Sequence, residues 1–261
     1  MPDTTQGLAI VGPGLIGTSI ALAAKRRWPE LRVRTIDKGE PLNAIGNAPV
    51  VVLSAPVHVI LAAIPQLPQV IAPDALVIDT GSTKRDIMAA AAAAGIQHFV
   101  GSHPMAGGTA LADARADLFD GRTWFLANPE SPDAVRRATE FVEALGARPV
   151  ILPDHGEEHD RLMAAVSHLP QVTATMLMAI VARAVGPDNL HWAGGGLRDT
   201  TRLAASQADV WQGILASNRQ ELRPLLKQLA SELGAFADRL DDPDAVKQLF
   251  DEANRAKASC Q

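Results

Sequence analysis

Cysteine is nearly absent: Cys260 is the only one in 261 residues. That excludes an intramolecular disulfide and any cysteine metal cluster, and it fits a reducing cytoplasm, the expected location. Blocks of basic residues are missing too. The formal net charge is −5, and without clustered Lys and Arg nothing neutralises a phosphate backbone, so nucleic acid is excluded as a partner. The start, MPDTTQGLAIVGPG, lacks a positive n-region, and its apolar run is soon broken by glycine and proline, so no targeting segment is expected. Long uninterrupted apolar runs are also lacking. The best candidate, Ala164 to Ala182, contains Ser167, His168, Pro170, Gln171, Thr173 and Thr175, too many polar groups for a lipid-facing span. It is expected to be a buried helix, at a subunit interface, and no membrane partner is expected.

What is present is ordinary for a soluble globular chain, 47% apolar and 20% charged, with length for one large or two moderate domains. Through residue 153, short apolar runs alternate with helical stretches. Leu8–Val11, Val33–Ile36, Val50–Ala55, Ala75–Thr80, His98–Gly101, Thr123–Ala127 and Val150–Leu152 read as strands. Leu15–Lys25, Val57–Ile64, Lys84–Ala94 and Asp133–Leu145 read as helices between them. Such alternation predicts an α/β domain, a mostly parallel sheet covered on both faces.

After Pro153 the strand signal stops. Glu157–Val185 reads as one long helix with a kink at Pro170. Apolar residues from Trp211 to Phe236 recur at three- and four-residue intervals, the period of one helix face, with Pro224 expected to bend it. A last short helix is expected over Asp244–Ala256. The predicted division is therefore 1–153, α/β, and 154–261, all helical.

Gly12-Pro13-Gly14-Leu15-Ile16-Gly17 follows the first strand and opens the first helix. Gly12 permits a tight turn, Gly14 lets a pyrophosphate approach the backbone, and Gly17 permits close helix–sheet packing. Free amides, among them those of Leu15 and Ile16, and the positive end of the helix dipole then face the phosphates. Asp37 stands twenty positions after Gly17 at the end of the second strand, where a carboxylate binds ribose hydroxyls and repels a 2′-phosphate. These features predict a Rossmann domain with NAD as cofactor.

Polar islands stand at two later strand ends, Asp79-Thr80-Gly81-Ser82-Thr83-Lys84 and Gly101-Ser102-His103-Pro104-Met105-Ala106-Gly107. Parallel strands place such ends along the edge that holds the cofactor, so Ser82 and His103 are candidates to face the nicotinamide. A histidine there can take a hydroxyl proton as hydride leaves, its ordinary pKa lying near neutrality; the alternative is a structural histidine at a strand end. In the helical half, His168 is either a core histidine or a substrate ligand. Arg202 either forks onto a substrate carboxylate or pairs with a nearby acid. His155-Gly156-Glu157-Glu158-His159 matches an H-x-x-E-H zinc pattern. With no third ligand in register and an acidic first helical turn that the macrodipole favours anyway, no metal site is expected.

Together GPGLIGTS, DTGSTK, GSHPMAG, HDRLMAAVSHLPQ and GGGLRDTTRLA followed by VW resemble the prephenate dehydrogenase family, in order, from about Gly7 to Asn218. The resemblance implies a Rossmann domain followed by a helical domain that forms a homodimer. It implies NAD-dependent oxidative decarboxylation of prephenate to 4-hydroxyphenylpyruvate, in tyrosine biosynthesis. By the family's motifs His103 would be the base, or hydrogen-bond acceptor, for the ring hydroxyl. Ser82 would support that hydroxyl and place the nicotinamide, while His168 and Arg202 would hold substrate carboxylates. Lys84, Arg198, Asp199 and Trp211 match motif positions as weaker candidates for direct contact. Several relatives carry Glu-Lys just after HPMAG. Here the chain reads Gly107-Gly108-Thr109-Ala110-Leu111, so that glutamate's role is lost or supplied elsewhere. An arogenate or amino-substituted prephenate dehydrogenase is the neighbouring alternative. From a different class, a non-catalytic dinucleotide sensor is disfavoured by the joint retention of Ser82, His103, His168 and Arg202. No room is expected for a regulatory ACT or chorismate mutase domain.

Overall fold

The computed structural model describes residues 7–107 and 110–259; Cys260, Gly108 and Thr109 lie outside the described residues. Seven strands form one sheet: β1 (Leu8–Val11), β2 (Val33–Ile36), β3 (Val50–Leu53), β4 (Leu76–Asp79), β5 (Phe99–Pro104), β6 (Thr123–Ala127) and β7 (Arg148–Leu152). Their order is β2-β1-β3-β4-β5-β6-β7. Every pairing is parallel except β5 with β6.

Strand residues alternate between two apolar layers, as the pleat requires. Leu8, Ile10, Val50, Val52, Leu76 and Ile78 pack with Ile20 and Ala24 of α1 (Leu15–Arg27) and Phe141 and Val142 of α4 (Pro132–Ala144). Ala9, Val11, Val51, Leu53 and Val77 face the other way, onto α2 (Val57–Ala63) and α3 (Arg85–Ala93). Because both faces are covered, the central strands read as continuous apolar runs rather than alternating ones. The chain runs from β1 outward to β2 and returns to β3 on β1's other side. This leaves a crevice beyond the carboxyl ends of β1 and β3, where a doubly wound sheet binds ligands.

The remainder is helical: α5 (Glu157–Met163), α6 (Leu169–Val185), α7 (Gly195–Thr200), α8 (Ala208–Ser217), α9 (Arg219–Ala237) and α10 (Pro243–Ala258). Three expectations are corrected. The irregularity expected at Pro170 is a π turn over Ala164–His168, where the Leu169 amide reaches the Ala164 carbonyl. Widening the turn ahead of a proline relieves the clash its ring would otherwise make with the preceding turn, and the helix continues to Val185. The single helix expected through Trp211–Phe236 is two, α8 and α9, parted at the buried Asn218; Pro224 sits inside α9. Gly195 and Gly196 form the first turn of α7. The segment expected to be buried, Ala164–Ala182, is largely uncovered within one chain, with Val166 and Met176 each 57% exposed. The continuous helix Glu157–Val185 is long and apolar enough to cross a membrane by length and composition alone.

Candidate active site

The carboxyl ends of β4 and β5 are tied together below the surface. The buried Asp79 carboxylate accepts the amides of Gly81 and Ser102, each at 2.8 Å, and the Lys84 ammonium. Ser102 Oγ donates to the Asp79 carbonyl and accepts Trp124 Nε1 at 3.0 Å. Lys84 is fully buried in this pairing, which accounts for its place in the DTGSTK motif without any ligand contact. A buried ion pair is sustained only when the remaining donors and acceptors are satisfied, as the two amides do here. The loop from Thr80 to Thr83 and the segment from His103 therefore leave the sheet side by side.

A cleft of about 300 Å³ opens at the crevice between β1 and β3, lined by Gly14–Ile16, Ser54–Val57, Thr80–Ser82, and Val210 and Ile214 of α8. Of the sequence candidates it gathers Gly14, Leu15, Ile16 and Ser82. Gly12 has φ +95°, and a Cβ there would lie 2.2 Å from the Ser54 carbonyl; one on Gly17 would lie 2.2 Å from the Gly12 carbonyl. Both glycines are thus dictated by packing. Gly14 differs, since a Cβ there meets nothing within 4 Å and points into open space. The first helical bond runs from Thr18 N to the Gly14 carbonyl, so the amides of Leu15, Ile16 and Gly17 precede it and remain available to an anion. The residues present fit a dinucleotide. Asp37, just past β2, accepts its neighbour Lys38's amide at 2.6 Å, and the Asp37 amide is held by Glu40 at 2.7 Å, leaving two carboxylates at this turn.

His103 ends β5 and meets a residue that the sequence argument had set aside with the zinc pattern. His103 Nδ1 lies 2.9 Å from His159 Nε2, and His159 Nδ1 lies 2.9 Å from Asp160 Oδ1. Asp160 also accepts the amides of Lys84 at 2.7 Å and Arg85 at 3.0 Å, which docks α5 on the start of α3. Its backbone carbonyl accepts Asn218 Nδ2 at 2.7 Å, and the same nitrogen lies 3.1 Å from His168 Nδ1. The two histidines named from sequence are therefore joined through His159, Asp160 and Asn218. Phe125 stands edge-on to His159 and Trp211 edge-on to His168, with centroids 5.5 and 5.8 Å away. His155, the other end of the zinc pattern, points elsewhere, with Nε2 3.5 Å from Glu130.

Electrostatics keep the imidazoles neutral. Burial, then the charges of His159, Lys84 and His168, push His103 well below the ordinary histidine value of 6.5. Burial lowers His168 to about 4, against the pull of Asp160. Burial alone would raise the Asp160 carboxyl, but the His159 bond and the two amides more than offset it and hold the group below its usual range. The near-neutral titration expected of His103 from sequence is thus replaced by titration in acid.

Arg202 is exposed on a short 3₁₀ turn, Arg202–Ala205, that α6 anchors through Gln171 Nε2 to the Leu203 carbonyl at 2.7 Å. Its guanidinium has no hydrogen bond or ion pair among the described residues, and it is not brought into the histidine network. Arg198 and Asp199 are exposed on α7. Sequence reasoning overlooked Asp160 and Asn218; the His-Asp pair opening the long helix was their one visible signal.

Family models match both halves of the chain: "Prephenate dehydrogenase, nucleotide-binding domain" over residues 15–151 and "Prephenate dehydrogenase, dimerization domain" over residues 155–251. The chain is 28% identical over 280 residues to the prephenate dehydrogenase of Lactococcus lactis subsp. cremoris, covering 97% of this chain and 77% of that one. It is 28% identical over 278 residues to the cyclohexadienyl dehydrogenase of Zymomonas mobilis subsp. mobilis, covering 96% and 94%. The fold is also similar to a crystal structure of prephenate dehydrogenase from A. aeolicus in complex with hydroxyphenyl propionate and NAD+, with TM-score 0.87, 22% identity and 98% of each chain covered.

Proposed function

Since the chain belongs to the prephenate dehydrogenase family, and is an oxidoreductase on that ground, we propose that it oxidises prephenate with NAD and releases 4-hydroxyphenylpyruvate and carbon dioxide. The observation that carries this reading is His103. It is a neutral imidazole at the carboxyl end of β5 with one ring nitrogen engaged by His159 and the other without a partner among the described residues.

The amides of Leu15, Ile16 and Gly17 would hold the cofactor's phosphates, with Gly12 shaping the turn and Gly14 leaving room for them, and Asp37 would hold its ribose. When bound, NAD supplies the acceptor for the hydride that leaves C4 of the ring. His103 takes the proton of the C4 hydroxyl as that carbon becomes carbonyl-like. The bond to the ring carboxylate then breaks, its electron pair passes into the ring, and carbon dioxide leaves. His103 returns its proton to the oxygen of the new phenol, so the proton is lent rather than consumed. Aromatisation drives the sequence, and the chain's task is a base, orientation and anchors for carboxylates. Ser82, at the cleft, is assigned to the hydroxyl; His168 and Arg202 are assigned to the carboxylates.

The acting unit in this proposal is a homodimer joined through the helical half, supported by the exposed apolar residues of α6 and by the family description of residues 155–251. Purified protein given prephenate should reduce NAD, seen as NADH absorbance, more efficiently than NADP. Asp37→Ser should narrow that gap. Turnover of arogenate in preference to prephenate would overturn the substrate assignment, and equal use of NADP would overturn that of Asp37.

A further inference from the structure

Tautomers follow from the contacts around Asp160, starting at the one member whose charge is fixed. Its carboxylate accepts two backbone amides, from Lys84 and Arg85, so it is ionised and can only accept from His159. His159 Nδ1 must then carry a proton. Burial disfavours a second proton on that ring, which leaves Nε2 as a lone pair. At 2.9 Å from that lone pair, His103 Nδ1 must be the donor, and His103 Nε2 is left bare.

On the other side, Asn218 Nδ2 has two hydrogens and two acceptors in reach, the Asp160 carbonyl and His168 Nδ1. Turning the amide over would set its oxygen 2.7 Å from the Asp160 carbonyl oxygen, acceptor against acceptor. The amide faces this way even though Asn218 Oδ1 is then buried without a hydrogen-bond partner among the described residues, a cost that marks the two donor bonds as the ones that matter. His168 Nδ1 is therefore the acceptor, and the ring's proton sits on Nε2.

We propose that His159, Asp160 and Asn218 are positioning residues that hold the two site histidines in opposite tautomers, His103 with a bare Nε2 that accepts and His168 with an Nε2–H that donates. Asp160 serves both, one through its carboxylate and the other through its carbonyl. The use made of the two nitrogens rests on the proposed function: an acceptor meets the hydroxyl that must lose a proton, and a donor meets a carboxylate.

The native protein tests the arrangement directly. A long-range ¹H–¹⁵N spectrum of uniformly ¹⁵N-labelled protein at neutral pH reports which nitrogen of each ring is protonated, with rings assigned from His103→Asn, His159→Gln and His168→Asn. His103 and His159 should be protonated at Nδ1 and His168 at Nε2. His159→Phe keeps the aromatic packing on Phe125 but removes the acceptor. It should mix the His103 tautomers and lower kcat roughly ten- to a hundredfold, the range seen when an orienting partner is lost, with little change in KM for prephenate. His159→Gln, whose amide oxygen can accept from His103, should restore most of that loss. Asn218→Leu should mix the His168 tautomers and raise KM for prephenate instead. Protonation of His103 at Nε2 in the native protein, or native kcat in His159→Phe, overturns the proposal. Should the tautomers stand as given while prephenate is not turned over, the arrangement holds and the proposed substrate alone falls.

Discussion

His103 and His159 meet edge to face, with ring centroids 5.1 Å apart and planes inclined at 73°, and a ring nitrogen of each lies within 2.9 Å of the other. They are far apart in sequence and belong to different halves of the chain, so the contact forms only when α5 docks on the end of β5. A single imidazole at a strand end is free to rotate; this one is held from behind.

For His103→Asn, kcat is expected to fall by about 10²–10⁴, the usual contribution of a general base, with substrate affinity little changed. The native pH profile carries a sign. The base works when neutral, and its pKa is pushed well below 6.5 by burial and by His159, Lys84 and His168. Activity should therefore be flat through neutrality and fall only in acid, as pH drops through the lowered pKa. A midpoint at or above the ordinary histidine value would contradict the assignment, as would survival of the acid limb in the variant.

Two glycines of one turn should part company when each is changed to alanine. The Gly17→Ala methyl would collide with the Gly12 carbonyl, and a loss of about 1–3 kcal/mol in stability is expected from such overpacking. The Gly14→Ala methyl enters open space, so Tm should hold while KM for NAD rises. Thermal melts alongside cofactor titrations separate the two, and an unaltered KM for Gly14→Ala would remove the phosphates from that position.

Arg202 makes no ion pair among the described residues, and its side chain is exposed. Replacing it with glutamine should change stability by no more than about 0.5 kcal/mol. If it grips a substrate carboxylate, KM for prephenate should rise, with KM for NAD nearly constant. Equal effects on both would point to a general disturbance of the domain.

Met176 and Ile180 lie one helical turn apart on α6, 57% and 50% exposed. Apolar residues left open on one face usually mark an interface. Light scattering should give a dimer for the native chain and a monomer for Met176→Glu with Ile180→Glu, with helix content retained. A native monomer at micromolar concentration would count against the homodimer.

The α/β half was legible because its signals are local. β1, β2 and β6 match the expected bounds residue for residue, since each is closed by turn residues, and β1 and β6 are in addition largely apolar. The helical half was less so. The apolar period lapses between Leu215 and Leu222 but resumes in phase, which hid the break. Asn218 followed three residues later by Glu221 was the local sign of a new helix start, but nothing local says that the asparagine bonds Asp160 and His168. The ends of β4 and β5 announced Ser82 and His103, because a parallel sheet collects such ends at one edge. His159 and Asp160 gave no such warning, as their roles come from a docking that no spacing encodes. Arg202 was legible as a motif position, yet it remains at the surface outside the network of histidines.

The π turn has a bearing on what the chain can lose. Asp160 and His168 are eight residues apart, and in an uninterrupted α-helix, at about 100° per residue, they would face directions about 80° apart. The wide turn absorbs one step and brings them to within about 20°, so that one asparagine spans both. It acts as a phase corrector: upstream of it the helix is timed to the sheet, and downstream to the uncovered face of Met176 and Ile180. Deleting Ala165 should let the segment relax to ordinary α-helix, with circular dichroism unchanged. Seven ordinary steps still leave Asp160 and His168 within about 20° of each other, so the phase is kept, and both the Asn218 bonds and the outward face of α6 should survive. Loss of prephenate turnover or of the dimer in that variant would show that the wide turn itself is needed, beyond the phase it sets.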